Sequence, residues 1–266
     1  MMKIGFIGAG NMGYAMIKGA QTVFQDNIVY TDVSLERCAY VKEQTNLDYL
    51  ESNQDLIDQS DVIVLAIKPQ YYTEVLMEVT IPSDRIVVSI APGMTIEFVN
   101  AFINGTPKLV RAMPNTPALI GEGVSGIAFG DNGFSQEEKD LIMELFSSFG
   151  MAKEVPEQLM DAVVPVSGSS PAYVYMFIEA MADAAVIQGM PRQLAYDMAA
   201  QSVVGAAKMV LKTGEHPGVL KDRVCSPGGT TIAAVQSLEK TGFRSSIIEA
   251  MMRCHEKVLS FKKKEN

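Results

Sequence analysis

Lys3-Ile4-Gly5-Phe6-Ile7-Gly8-Ala9-Gly10-Asn11-Met12-Gly13 stands at the start of the chain, and this opening alone implies an architecture. Lys3–Ile7 is a short apolar run that reads as a buried strand, and Gly8 closes it. From Asn11 to about Phe24 the apolar residues recur at helical spacing. A strand, a Gly-x-Gly-x-x-Gly turn and a helix, in that order, make the first βα unit of a dinucleotide-binding fold. The first glycine permits the tight turn, the second lets backbone approach a pyrophosphate, and the third lets helix and strand pack closely. N–H groups at the helix start then hold the phosphate charge. Gly8, Ala9, Gly10, Asn11, Met12 and Gly13 are therefore cofactor-binding candidates. The bare pattern is weak, and a purely structural glycine turn is its alternative; the flanking strand and helix give it weight.

Working outward, Ile28–Thr31 reads as the next strand and ends at Asp32, 19 residues after Gly13. An acidic side chain at that point accepts hydrogen bonds from the adenosine ribose and repels a 2′-phosphate, which tilts the choice toward NADH. An exposed turn or N-cap aspartate is the alternative. Arg37, the nearest arginine, falls inside the following helical pattern. Asp61–Ile67, Ile86–Ile90, Lys108–Ala112 and Ser125–Phe129 are further strand candidates, with helices near 70–78, 95–104 and 136–149. That alternation implies an α/β domain with a doubly wound parallel sheet. Lys68-Pro69, Ala91-Pro92-Gly93 and Met113-Pro114-Asn115-Thr116-Pro117 each follow a strand, at the carboxyl edge where such sheets bind ligands. Their small residues and the Asn115 amide suit a nicotinamide lying there, and each equally suits ordinary turn chemistry.

Beyond residue 160 strand signals fade and long helix-period stretches take over. Ser170-Pro171 opens one helix and Gly189 stops it; Pro191 opens another and Gly214 closes it. Further helices run from Gly228-Gly229 to about Lys240 and from about Arg244 to Phe261. Residues 1–160 are thus expected to form a Rossmann-type dinucleotide-binding domain, and residues 161–266 an all-helical one. Pro171–Val186 is apolar on nearly every face, with Glu179 and Asp183 as its charges. A helix of that kind must be buried, and a domain of ~100 residues has little interior to bury it in. Dimerisation through the helical domain is the expected solution; burial within one chain is the alternative.

Ser226-Pro227-Gly228-Gly229-Thr230-Thr231 puts two glycines and two hydroxyl residues at a helix start. Free N–H groups there make an anion site, and the hydroxyls add donors. In a hydride-transfer enzyme, an anion site away from the pyrophosphate points to a carboxylate substrate. A capped helix start is the structural alternative.

Composition narrows the classes. The 266 residues are 48% hydrophobic and 20% charged, with a net charge of −9; residues 1–160 carry 10 basic and 21 acidic side chains, and residues 161–266 carry 12 and 10. Nucleic acid, which demands clustered cations, is not expected as a partner. The run Lys262-Lys263-Lys264 reads as a solvated tail. No apolar stretch approaches the ~20 residues of a membrane helix, and the start of the chain, with only Lys3 before a short apolar stretch, does not read as a secretory leader. Cys38, Cys225 and Cys254 are too few and scattered for a disulfide framework or zinc site, which fits reduced thiols in the cytoplasm. His216 and His255 lie too far apart in sequence to suggest a metal site or a Ser-His-Asp triad.

The chain resembles the pyrroline-5-carboxylate reductases of proline biosynthesis. The resemblance rests on Lys221 through Ala233 (KDRVCSPGGTTIA), continuing to Leu238-Glu239, and runs across the chain through Gly8–Gly13, Leu65-Ala66-Ile67-Lys68-Pro69, Arg111–Pro117, Ser167–Tyr173 and Gly242-Phe243-Arg244. It implies reduction of L-1-pyrroline-5-carboxylate to L-proline with NADPH or NADH. It also implies a helical domain interlocked in a homodimer, active sites near that interface, and often larger rings of dimers. By matching position, Gly229, Thr230 and Thr231 would hold the substrate carboxylate, with Thr231 near the ring nitrogen as the catalytic candidate. Asn53, Ala66, Lys68 and Pro69 would line the cofactor site. Two positions depart from the pattern: Asp32 stands where many members carry neutral Ser or Thr, and Pro92 where relatives commonly have Ala. NADH and NADPH both stay open on that basis. Two other readings compete. One is a dehydrogenase of the same superfamily using Lys208, Lys212 or Lys221 as acid/base; the other is a non-catalytic NAD(H) sensor, which has no use for the second anion site.

Overall fold

A computed structural model of the chain describes residues 2–131 and 133–262; Lys263 and Lys264 of the basic tail lie outside them. The chain divides into two compact units, one reaching to Ser169 and resuming at Cys254, the other spanning Ser170–Arg253.

The first unit alternates β1 (Ile4–Ile7), α1 (Asn11–Phe24), β2 (Ile28–Thr31), α2 (Leu35–Thr45), α3 (Asn53–Gln59) and β3 (Val62–Leu65). A 3₁₀ turn at Pro69–Tyr71 leads into α4 (Tyr72–Met77), followed by β4 (Ile86–Ser89), α5 (Ile96–Phe102) and β5 (Lys108–Met113). Then come β6 (Gly123–Phe129), α6 (Gln136–Ser147), β7 (Gly150–Glu154) and α7 (Met160–Val163). The sheet order is β2-β1-β3-β4-β5-β6-β7. β1 to β4 are buried at every position and almost wholly apolar because both faces are covered. Phe6, Val64 and Val88 pack with Met16 of α1 and Phe146 of α6; Ile63, Leu65 and Val87 pack with Leu56 of α3, Leu76 of α4 and Val99 of α5. Helix starts are set locally: the hydroxyls of Ser34, Ser52 and Thr95 accept from first-turn N–H groups, and Ser135 with Glu138 forms a capping box.

From β2 to β5 every pair is parallel, but β6 runs antiparallel to β5. The doubly wound sheet is therefore mixed rather than wholly parallel. The cause is chain length: residues 114–122, containing a 3₁₀ turn at Thr116–Ile120, are shorter than a parallel crossover needs. The edge strand β7, which pairs parallel to β6, carries Lys153 and Glu154 and is largely exposed, so it lacks the apolar signature of a buried strand.

In the second unit α8 (Ser170–Ile187) and α9 (Arg192–Thr213) form a hairpin turned at Gly189, whose φ is +94°. Gly214, left-handed at φ +66°, ends α9, and the His216 ring nitrogen accepts from the Gly218 N–H to cap α10 (Pro217–Val224). α11 (Thr230–Lys240) follows, and α12 (Phe243–Lys262) begins in this unit and passes into the first at Cys254. The second unit has almost no interior of its own. Among the described residues of α8 only Ala182 is buried, while Tyr175, Met176 and Ile187 are 58, 67 and 86% exposed. Burial of that apolar helix within the chain, the alternative to dimerisation, is not what the fold provides.

Candidate active site

The strand order reverses between β1 and β3, and ligands of open α/β sheets bind at the carboxyl edge of that point. Three loops meet the edge there: Gly8–Gly10, Asp32–Ser34 and Ala66–Lys68. The glycines are not equivalent. A Cβ on Gly8, whose φ is +99°, would stand 2.6 Å from the Ala66 carbonyl oxygen, and one on Gly13 would stand 2.2 Å from the Gly8 carbonyl oxygen. A Cβ on Gly10 meets nothing within 4 Å. The first and third glycines are fixed by the protein itself; the second borders open space, where a phosphate group fits against the start of α1. No side chain caps that helix, so its first-turn N–H groups are left for an anion. Of this loop, Ala9 is buried, Asn11 is exposed and the Met12 side chain packs against the core, so Met12 can offer a ligand its backbone N–H.

Asp32 is held against this loop. Its Oδ2 accepts from the Ala9 N–H at 2.8 Å and its Oδ1 from the Ser34 N–H at 2.9 Å. The Thr31 hydroxyl donates to Asn53 Oδ1 at 2.7 Å, leaving the amide N–H₂ as what Asn53 offers. Gly8, Asp32 and Asn53 line one cavity of about 300 Å³, together with Val33, Tyr71 and Glu74. Ala66 serves from outside it: its N–H donates to the Ile7 carbonyl, and its carbonyl and methyl crowd Gly8 and Gly13. Lys68 is exposed and Pro69 begins the 3₁₀ turn behind it.

Two residues outside the site candidates, Arg37 and Tyr72, help build this edge. Arg37 Nε donates to the Ala9 carbonyl at 2.6 Å and Nη2 to the Gly10 carbonyl at 3.3 Å. Its guanidinium also stacks on Tyr14 and Tyr40, 5.3 and 4.9 Å from the ring centroids. The Tyr72 hydroxyl donates to the Leu65 carbonyl and bonds Ser89 Oγ, both at 3.0 Å, tying β3 to β4. Burial pushes its phenol up to about 12, so it stays neutral. A tyrosine within an apolar helical pattern was the available signal, because a buried phenol needs a polar partner.

Asn115, by contrast, is not a free amide at the sheet edge. Its Nδ2 donates to the Ser167 carbonyl at 3.0 Å and its Oδ1 accepts from the Val124 N–H at 2.9 Å, so it ties the turn after β5 to β6 and to the helical turn at Val164–Gly168. Ala91-Pro92-Gly93 is a turn requiring Gly93 at φ +83°. Arg111 is also structural in its contacts: buried, it reaches Asp161 Oδ1 at 2.7 Å.

In the helical unit, α11 begins at Thr230 behind Gly229, with no side-chain cap. Gly228 sits at φ +69°, a left-handed conformation that favours glycine. Thr230 is exposed and Thr231 half-buried. The Gly229 N–H donates to the Ser226 carbonyl at 3.0 Å, whereas the first-turn N–H groups from Thr230 onward have no partner within the helix, which makes the Gly229–Thr231 turn a second place suited to an anion. Among the described residues no cluster of His, Cys, Asp and Glu is arranged to hold a metal ion, and no helix is long and apolar enough to cross a membrane.

A dinucleotide-type glycine loop on a doubly wound sheet, joined to an all-helical unit with an uncapped helix start at Gly229, is the arrangement of an NAD(P)-dependent oxidoreductase. Residues 3–93 match the family described as NADP oxidoreductase, coenzyme F420-dependent, and residues 157–260 match the pyrroline-5-carboxylate reductase dimerisation family. The chain is 48% identical over 261 residues to pyrroline-5-carboxylate reductase of Escherichia coli strain K12, covering 96% of each. The solved 1-pyrroline-5-carboxylate reductase of Streptococcus pyogenes superposes with a TM-score of 0.89 at 36% identity, covering 97% of this chain and 98% of the other. That of Plasmodium falciparum, with NADP bound, superposes at 0.86 with 32% identity and 98% coverage of both. The chain belongs to the pyrroline-5-carboxylate reductase family.

Proposed function

We propose that the chain reduces L-1-pyrroline-5-carboxylate to L-proline by hydride transfer from a reduced nicotinamide dinucleotide, the last step of proline biosynthesis. The observation that carries this reading is that two helix starts lack a side-chain cap, one behind Gly10, which suits the cofactor phosphates, and one behind Gly229, which suits a carboxylate. Gly8–Gly13, Asp32, Asn53, Ala66, Lys68 and Pro69 bind or frame the cofactor. Bound there, the reduced nicotinamide supplies a hydride. Gly229, Thr230 and Thr231 hold the substrate carboxylate, the Thr230 and Thr231 N–H groups donating to it while the Gly229 N–H donates to the Ser226 carbonyl at 3.0 Å and shapes the turn, so the cyclic imine is held in one orientation. With its ring nitrogen protonated, the imine carbon is already a strong electrophile. The Thr231 hydroxyl donates a hydrogen bond to that nitrogen as it becomes an amine. NADH is the favoured cofactor, because Asp32 suits a free 2′-hydroxyl and disfavours a 2′-phosphate.

Transfer of label tests the reaction. With NADH deuterated at C4 on the transferred face, proline should carry one deuterium on the ring carbon bonded to nitrogen and remote from the carboxylate. Proline without the label, or no proline, contradicts the reading.

The helical unit acts through a homodimer, and rings of dimers are compatible with it; the three free cysteines suit a reducing cytoplasm. Light scattering should return at least twice the 28.9 kDa chain mass. Met176→Glu, on the exposed apolar face of α8, should lower that mass or leave the protein insoluble. A monodisperse wild-type monomer would contradict the dimer.

A further inference from the structure

We propose that Glu74 is a second selector against NADPH, acting across the adenosine cavity from the glycine-loop side that holds Asp32. The inference rests on the reading that the cavity beside Gly8 and Asp32 receives the adenosine end of the cofactor. Its lining carries two carboxylates, Asp32 and Glu74, and no lysine, arginine or histidine. Glu74 lies in the first turn of α4, exposed, and makes no ion pair among the described residues, so its charge is not neutralised locally. The neighbouring cations are placed otherwise. Arg37 is anchored on the Ala9 and Gly10 carbonyls, and Lys68 stands exposed at the start of the 3₁₀ turn, outside the cavity lining. Val33, fully exposed and apolar, occupies the rim immediately after Asp32 and offers surface for a base rather than charge for a phosphate. A 2′-phosphate brings about two negative charges into this setting, whereas a ribose hydroxyl can donate to a carboxylate. Asp32 already has both oxygens engaged by backbone N–H groups and is fixed in place. Glu74 is the unanchored one, and its charge is the easier to invert without disturbing the loop.

The test is direct binding, which needs no substrate: fluorescence titration of NADH and NADPH against wild type, Glu74→Gln, Glu74→Lys and the control Glu78→Lys. Glu78 is an exposed acidic residue at the end of the same helix and outside the cavity lining. Wild type should bind NADH more tightly. The ratio of the NADPH to the NADH dissociation constant should fall about threefold in Glu74→Gln and about tenfold in Glu74→Lys, and less than twofold in Glu78→Lys. A Glu74→Lys ratio within twofold of wild type, or an equal shift in Glu78→Lys, overturns the role of Glu74. Wild type that binds neither dinucleotide overturns the adenosine reading of the cavity itself.

Discussion

Gly13→Ala should lower Tm by several degrees and remove measurable dinucleotide binding, whereas Gly10→Ala should leave Tm within about a degree and weaken binding tenfold or more. The two substitutions add the same methyl group three residues apart. At Gly13 it meets the Gly8 carbonyl oxygen at 2.2 Å, a backbone atom that cannot swing aside, and the Ala66 methyl at 3.3 Å. Helix α1 must then lift from the loop, disturbing Ala15 and Met16, which are buried in the core. Overpacking of this kind costs roughly 1–3 kcal/mol, and at roughly 2–4 °C per kcal/mol for chains of this size the loss is visible by calorimetry. At Gly10 the backbone, at φ −56° and ψ −168°, lies in a region open to alanine, and the methyl meets no protein atom within 4 Å. The fold therefore tolerates it, and the damage falls on the phosphate that would occupy the same space, about 1.4 kcal/mol for a tenfold loss. Calorimetry and fluorescence titration of both variants check the contrast. Equal loss of Tm in the two would show that the second glycine is structural.

Thr231→Ala should reduce kcat/KM at least tenfold, about 1.4 kcal/mol of transition-state stabilisation, with Tm unchanged. Thr231 is half-buried in the first turn of α11, where the absence of a side-chain cap leaves helix N–H groups for a carboxylate. Its backbone N–H survives the substitution, so the proposed carboxylate binding should persist and the loss should isolate the hydroxyl. Thr231→Ser, which restores the hydroxyl, should recover most of the rate. Steady-state kinetics on the three proteins decide it; an unchanged kcat/KM in Thr231→Ala removes the hydroxyl from the mechanism.

Much of this architecture is legible in the sequence because the parallel strands are buried on both faces. Ile28–Tyr30 and Val62–Leu65 are apolar without interruption, and glycines or aspartate end the neighbouring segments at the carboxyl edge. The glycine motif and Asp32 are legible for the same reason, since backbone geometry dictates their residue types and spacing. The antiparallel turn-back of β6 and the charged edge strand β7 are not, because chain direction leaves no mark on a short apolar run and an edge strand need not be apolar. Nor are the long-range side-chain partners. Arg37 reads as one more helical residue until the fold brings it onto the Ala9 and Gly10 carbonyls. Asn115 looks like a ligand group until the fold commits both ends of its amide to Ser167 and Val124. The apolar surface of α8 is the opposite case: its sequence predicts a buried helix, and a single chain leaves it exposed, in a region that matches a dimerisation family.

The most direct test of the account is the fall in reduced-nicotinamide absorbance when L-1-pyrroline-5-carboxylate is added to the purified chain, with NADH and NADPH run in parallel. Turnover that yields proline is expected, faster with NADH at limiting cofactor. Binding of either dinucleotide without turnover of the imine would contradict the proposed reaction.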